Sequence, residues 1–472
     1  MRKYFLVAFF HFALFTVSVH GQDISPIKDL YGRTLILHGL NTAGGAKQSV
    51  GHQPWITEAD VQREDTAFGF NVVRYLIFWG AIEPVKDSFD EHYLQEVKKR
   101  VEWYTRRKMY VVLDMHQDVF GYGVGDNGAP EWAGAHAIIK NLVPKKWPWW
   151  MKNLEPKVVK SYVQFFIYKK HKERQQHNIA CWKKVAALFK DNPYVLGYDL
   201  MNEPHGGKIV KTLAGGFERR QLSAFYKRLI PAIRTVDTAK YIFFEPRSFG
   251  VNFGMPSHLP RVHDSAVVAQ KLVYAPHCYP AFVDVGGDYK PKNKRTLEKW
   301  FRIRNRELKM QQAPVLIGEF GLSPHKTGFD TYLHDFNELA DKYHMSWTYW
   351  ASDPGGWGPY NKDKTPSPIL SALLHVYPMA TAGKLIDYSY TVIGGYAGPI
   401  NAFQIEFISN SGIKMPTEIA IPRSLYPGGY SLLISGTTKY HTLVDPVTNA
   451  LQLFVDEDGA DVKVDITGNA NK

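Results

Sequence analysis

Eight runs of mostly apolar, β-branched and aromatic residues recur along the chain before about position 350. They are TLILHG around Leu35, NVVRYLIFW around Val73, MYVVLDMHQD around Val112, VLGYDLMNEP around Tyr198, YIFFEP around Phe243, KLVYAPHCYP around Val273, VLIGEF around Leu316 and MSWTYW around Trp347. Their apolar character is continuous, which predicts strands covered on both faces, as in parallel sheets. Segments with helical spacing lie between most of them, for example DEHYLQEVKKRVEWYTRRK, with Asp90 as the expected N-cap, and DTYLHDFNELADKYH from Asp330. Strand and helix alternating eight times predict a (β/α)8 barrel. A doubly wound sheet would need a glycine-rich phosphate turn after its first strand, and HGLNTAGGAK does not supply one.

After about Lys384 the pattern changes. YSYTVIGGYAG, NAFQIEFIS, TEIAIP, YSLLIS, LQLFVDED and DVKVDITG are short alternating segments split by Gly, Pro, Asn and Ser, the pattern of an antiparallel β-sandwich. The expected organisation is a signal peptide over residues 1–21, a catalytic barrel over 22–383 and a small β-sandwich domain over 384–472. The first segment is expected because Arg2 and Lys3 precede an apolar run from Tyr4 to Val19, with small residues before a cut ahead of Gln22. That run is short for a bilayer span.

Composition narrows the partners. A net charge of +12 fits nucleic acid, anionic lipid or acidic glycans. No arginine-rich run or nucleic-acid motif accompanies it, so no nucleic-acid partner is expected. The two cysteines, Cys181 and Cys278, provide no disulfide framework and are expected as buried free thiols. Twelve tryptophans add flat apolar faces that suit sugar rings as well as cores.

Taken alone, Glu203 in GYDLMNEPHGG reads as an ordinary loop carboxylate. A barrel changes this, because it collects the C-terminal ends of its strands at one mouth. Those ends carry Arg74, Asp114, His116, Asp118, Asn202, Glu203, His277, Tyr279, Glu319 and Trp350. Two carboxyl groups at one mouth suit glycoside hydrolysis, in which one protonates the leaving oxygen and the other attacks or activates water. Their surroundings must then push their pKa values apart. No zinc-type spacing surrounds His116, and neither metal nor cofactor is expected. His277 and Cys278 are neighbours on one run and face opposite ways.

The set Arg74, His116, Asn202, Glu203, His277, Tyr279, Glu319 and Trp350 resembles the core signature of glycoside hydrolase family 5. LNTAGGAKQS, LDMHQDVFG, YDLMNEPHGG, LIGEFGL and YWASDPGGWGPY are similar to segments of endoglycoceramidases, which cut between the glycan and ceramide of glycosphingolipids. The likeness runs from about Leu35 to Pro378 and resumes in PTEIAIP. It implies a retaining mechanism with Glu203 as acid/base and Glu319 as nucleophile, the latter held by Arg74 and Tyr279. It further implies that Asn202 holds the sugar 2-hydroxyl and that Trp350 is the floor under the glucose ring. Lys47, Asp114 and His116 match glycan-contacting positions, and Trp149 is the counterpart of a cleft tryptophan. The implied enzyme is a secreted or lumenal monomer that takes a glycosphingolipid and touches a membrane or micelle surface. Trp147, Trp149 and Trp150 among Lys145, Lys146 and Lys152 would form its lipid-facing lip. The alternatives are another family 5 β-glycosidase acting on a steryl glucoside, glucosylceramide or β-glucan, and a non-catalytic glycolipid-binding protein. The last has no need of either glutamate.

Overall fold

The structure, a computed structural model, describes residues 24–124, 127–135, 142–143, 149–268, 270–284, 286–393 and 400–469. The expected signal peptide and the loop residues Lys145, Lys146 and Trp147 lie outside the described residues. Trp149 is described by its backbone alone. No helix among the described residues is long and apolar enough to cross a membrane.

Eight parallel strands form a barrel: β1 (His38–Thr42), β2 (Val72–Ile77), β3 (Tyr110–Met115), β4 (Val195–Asp199), β5 (Tyr241–Phe244), β6 (Leu272–Tyr274), β7 (Leu316–Ile317) and β8 (Ser346–Tyr349). Neighbours pair in the order β6-β5-β4-β3-β2-β1-β8-β7. Bridges Tyr274–Val315 and Cys278–Phe320 close the ring between β6 and β7. Every residue of β2, β3 and β4 is buried, which is why these strands read as continuous apolar runs.

The two faces of each strand still differ. Val73, Tyr75, Val111 and Leu113 pack outward into the helix layer. Val72, Tyr110, Val112, Phe243, Val273 and Leu316 fill the barrel interior. One turn of the pleat higher, the inward positions become polar, with Arg74, Asp114 and Asp199, so the interior is apolar at its floor and charged beneath its mouth. The helix Glu91–Thr105 shows how the outer layer is set: Asp90 caps it by accepting from the backbone N–H of Tyr93 at 2.9 Å. Tyr93, Leu94, Val97, Val101 and Tyr104, at helical spacing, form its buried face.

Two boundaries differ from the sequence expectation. The TLILHG run splits: Thr34–Leu35 leaves the barrel and pairs antiparallel with the strand β9 (Tyr377–Thr381), and the barrel strand starts at His38. Arg33 fixes this departure through Asp29, Glu418 and the carbonyl of Pro416. Because β9 also pairs with Thr417–Ala420, the C-terminal unit takes in residue 377, ahead of the change of texture near 384.

The remaining strands are β10 (Gly383–Ile393), β11 (Ile400–Ser409), β12 (Thr417–Ala420), β13 (Tyr430–Ser435), β14 (Tyr440–Val444), β15 (Leu451–Val455) and β16 (Asp461–Gly468). They make two antiparallel sheets, one ordered Thr34–Leu35, β9, β12, β15, β14 and the other β10, β11, β16, β13. Phe403, Ile405 and Phe407 lie opposite Ile466, Val464 and Val462 in the second sheet and pack against Ile419, Leu451 and Leu453 of the first. This is the expected two-residue alternation of a sandwich.

Candidate active site

Arg74, midway along β2, is fully buried and organises the barrel mouth from below. Its Nη1 donates to Glu319 Oε1 at 2.9 Å and Asn41 Oδ1 at 3.1 Å. Nη2 donates to Asn202 Oδ1 at 2.9 Å and Glu245 Oε1 at 3.0 Å, and lies 3.0 Å from Asp114 Oδ1. Nε donates to Asp199 Oδ2 at 2.9 Å. One cation thus faces four buried carboxyl groups, more negative charge than it can balance. Burial accordingly pushes Asp199 up to about 6 and Glu245 up to about 8, against the pull of Arg74 on both and of His277 on Glu245.

Glu203 lies just past the end of β4 with φ 45°, a left-handed conformation that costs a non-glycine residue about 1–3 kcal/mol. Surrounding bonds hold it there. Its N–H donates to Glu245 Oε2 at 2.9 Å, and its carbonyl accepts from Gln117 Nε2 at 3.2 Å and Ser248 Oγ at 3.4 Å. The Asn-Glu-Pro sequence therefore does more than end a strand, because it lifts a carboxyl into the wall of the mouth. Glu203 Oε1 accepts from Asn252 Nδ2 at 2.7 Å and lies 2.9 Å from His277 Nδ1.

Glu319 stands opposite, with Tyr279 donating its hydroxyl to Oε2 at 3.1 Å and His277 Nδ1 3.6 Å away. A carboxyl oxygen of Glu203 and one of Glu319 lie within 4.8 Å of each other. Burial raises the proton affinity of Glu203, but the hydrogen bond and charge of His277, with Asn252, hold its carboxyl below the usual range. For His277 burial acts the other way and is overcome by Glu245 and Glu319, which keep the imidazole well above its usual pKa. The two side chains share one proton, and the resting balance leaves it on the imidazole.

The cavity above this pair holds about 250 Å³. Lys47, Asp118, Glu203, Tyr279, Glu319, Trp350 and Trp357 are on its wall, as are Trp150, His205, Phe249, Asn252 and Phe253. Lys47 Nζ sits 4.1 Å from the centre of the Trp350 ring and 2.9 Å from Asp118. Trp150, Phe249 and Phe253 form a separate aromatic cluster with centroids 5.8 to 6.3 Å apart. A larger cleft of about 760 Å³ lies at the opposite end of the barrel, between it and the C-terminal sheets, lined by residues such as Leu35, Ser346 and Lys384. It contains none of the residues just described.

Of the residues expected from the sequence, Lys47, Glu203, Tyr279, Glu319 and Trp350 line the cavity. Arg74, His116, Asn202 and His277 stand directly behind its wall. Asp114, expected to touch the glycan, is wholly buried between Arg74 and His116, whose Nδ1 is 2.7 Å away. It sits below the rim because it is still part of β3. Asp118, four residues on in the loop, takes the wall position, and Lys47 and His116 hold its carboxyl far below the usual range despite its burial. Trp149 opens a 3-10 turn, Trp149–Leu154, and the tryptophan seen on the cavity wall is Trp150. Sequence reasoning passed over Glu245 and Asn252. For Glu245 a signal existed: Glu245-Pro246 follows β5 much as Glu203-Pro204 follows β4. Cys181 and Cys278 are both buried and free.

Comparison with known proteins agrees with this arrangement. Residues 29–356 match the family described as Cellulase (glycosyl hydrolase family 5), and residues 376–466 match the glycoside hydrolase family 5 C-terminal domain. Endoglycoceramidase I of Rhodococcus hoagii is 27% identical over 88% of this chain and 82% of its own length. The endoglycoceramidase of Hydra vulgaris is 25% identical over 93% and 87%. Among solved structures, endo-glycoceramidase II from a Rhodococcus species in complex with ganglioside GM3 superimposes with a TM-score of 0.86 at 33% identity, covering 95% of this chain and all of that one. The same enzyme as a lactosyl-enzyme intermediate gives a TM-score of 0.84, again at 33% identity, over 94% of this chain and all of that one. With both of its domains matched in order, the chain belongs to glycosyl hydrolase family 5.

Proposed function

We propose that this protein is an endoglycoceramidase, a retaining endo-β-glycosidase that releases an intact oligosaccharide and ceramide from glycosphingolipids. The observation that carries the reaction type is the Glu203–Glu319 pair: oxygens within 4.8 Å suit the separation of about 5–5.5 Å used by retaining enzymes, not the 6.5–9.5 Å of inverting ones. The substrate class rests on the relatives, which include a ganglioside complex and a lactosyl-enzyme intermediate.

In this reading Glu319, oriented by Arg74 and Tyr279, attacks the anomeric carbon of the innermost glucose. As the C–O bond to the ceramide breaks, Glu203 passes to the departing oxygen the proton it draws from His277 Nδ1, 2.9 Å away. Glu203 then takes a proton from water, and the water oxygen displaces Glu319 to free the glycan. Trp350 provides the ring platform, and Lys47 with Asp118 provides charged partners for sugar hydroxyls. Trp150, Phe249 and Phe253, with Met255 exposed at 42%, form the apolar border for the lipid. We read the enzyme as a monomer that works at a membrane or micelle surface. It acts outside the cytosol, the compartment to which the apolar N-terminal stretch points.

Incubation with a ganglioside labelled in both halves tests the reading. The expected products are one intact oligosaccharide and one ceramide. Stepwise release of monosaccharides, or cleavage of steryl glucoside alone, overturns it.

A further inference from the structure

The mechanism leaves unused one buried carboxyl that touches the proton donor from two directions. Glu245 is 1% exposed, and its own carbonyl is tied to the hydroxyl of Tyr226 at 2.8 Å. Its Oε2 accepts the backbone N–H of Glu203, the bond that helps hold that residue in its left-handed turn. Its Oε1 lies 3.2 Å from Nε2 of His277, whose Nδ1 on the far side of the ring is 2.9 Å from Glu203 Oε1. Glu203 and Glu245 thus flank the two nitrogens of one imidazole, and the backbone contact ties the two glutamates together.

We propose that Glu245 is a positioning residue for Glu203, fixing its backbone directly and governing its proton through the charge of His277. The proposal rests on the reading of Glu203 as acid/base. A carboxylate beside Nε2 favours the imidazolium, and the imidazolium holds the proton that Glu203 and His277 share. The groups in contact with His277 are Glu203, Glu245 and Glu319, with Asp199 also within electrostatic reach. Those facing Glu245 are Arg74, His277 and Asp199. Glu203 feels His277, Asn252 and the charge of Asp118. Glu203, His277 and Glu245 therefore titrate as one unit, and removing a negative charge from it lets the shared proton leave at lower pH. Burial pushes the Glu245 carboxyl upward against the pull of His277 and Arg74, so its charge belongs to the coupled unit rather than to Glu245 alone.

Glu245→Gln is the informative change, because glutamine keeps an acceptor for the Glu203 N–H and loses the charge. With ring-labelled histidine, the NMR titration midpoint of His277 falls by about one pH unit in Glu245→Gln. The basic limb of kcat/KM for an alkyl β-lactoside moves down with it. Glycosylation by 2,4-dinitrophenyl β-lactoside, whose leaving group needs no proton, keeps the wild-type pH profile. Glu245→Asp, which keeps the charge, brings the midpoint back toward wild type, and Glu245→Met, which also loses the charge, serves in place of the glutamine variant should that variant not fold. An unmoved His277 midpoint in Glu245→Gln overturns the proposal. So does an equal loss on both lactosides with an unchanged basic limb, which would reduce Glu245 to packing. A wild-type protein whose His277 depends on Glu245 in this way but which cleaves no glycolipid removes the endoglycoceramidase reading and leaves the Glu245–His277 coupling standing.

Discussion

Gly318 and His277 are in contact so close that a β-carbon on Gly318 would fall 2.8 Å from His277 Nε2. The ring cannot retreat freely, since Glu203 and Glu245 bracket its two nitrogens at 2.9 and 3.2 Å. Gly318→Ala is therefore expected to displace the imidazole and lower kcat/KM by about 100-fold, the cost of a misplacement near 1 Å at a reacting centre. The fold should survive, with a loss of about 1–3 kcal/mol. Steady-state kinetics beside a denaturant midpoint separate the two effects, and full activity in Gly318→Ala would contradict the tight fit.

The two glutamates are expected to fail differently. Glu319→Gln abolishes the covalent glycosyl intermediate, observed by mass spectrometry with a slow activated substrate. Glu203→Ala slows both steps, and azide restores turnover on an activated lactoside by supplying a nucleophile that needs no base. Azide rescue of the Glu319 variant with inverted product, and none of the Glu203 variant, would mean that the two roles are exchanged.

Stability should fall on mild acidification because of His38. This residue is stacked between Trp347 at 4.2 Å and Tyr377 at 3.8 Å, with both ring nitrogens buried and unpartnered. Burial, with His375 nearby, keeps its folded-state pKa well below 6.5. The unfolded chain therefore takes up a proton below about pH 6.5 that the folded protein refuses. The contribution of a neutral His38 is complete above that pH and is lost as the pH falls through it. Melting temperature should drop between pH 7 and pH 5, and less steeply in His38→Phe. Parallel curves for the two proteins would mean that His38 is protonated in the fold.

The aromatic border predicts a dependence on substrate presentation. Combining Trp150→Ala with Phe253→Ala should reduce hydrolysis of vesicle-borne ganglioside about tenfold more than hydrolysis of a soluble lactoside, a difference of roughly 1.4 kcal/mol. Such a loss matches the removal of apolar surface worth about 25 cal/mol per Å². Equal losses on both substrates would assign these rings to the glycan side of the cavity.

The barrel was legible because buried parallel strands leave long apolar runs, and the meeting of Glu203 and Glu319 because such strands end together at one mouth. Thr34–Leu35 was misplaced for the same reason: Leu35 is buried just as deeply in the barrel floor, but its backbone pairs with another sheet, and burial alone does not name the strand partner. Asp114 and Asp118 were hard to rank because the strand end decides which of two nearby aspartates reaches the cavity. Glu245 escaped notice although Glu245-Pro246 echoes Glu203-Pro204, because a Glu-Pro pair after a strand carries no function by itself. The aromatic border stayed open because loop side chains are placed by contacts with distant segments, here Phe249 and Phe253 against Trp150.

The pairing of Thr34–Leu35 with β9 bears on how the protein is made. A nascent chain that has delivered all eight barrel strands to the ribosome exit still lacks the partner of its own beginning. The floor of the barrel, where Leu35 and Ala380 share one apolar cluster, is sealed only by residues made after the eighth barrel strand. A transcript ending at a premature stop near codon 376 would therefore yield a chain with every side chain of the barrel mouth present and an open base. Such a product is a natural client for chaperones and proteases rather than a smaller enzyme.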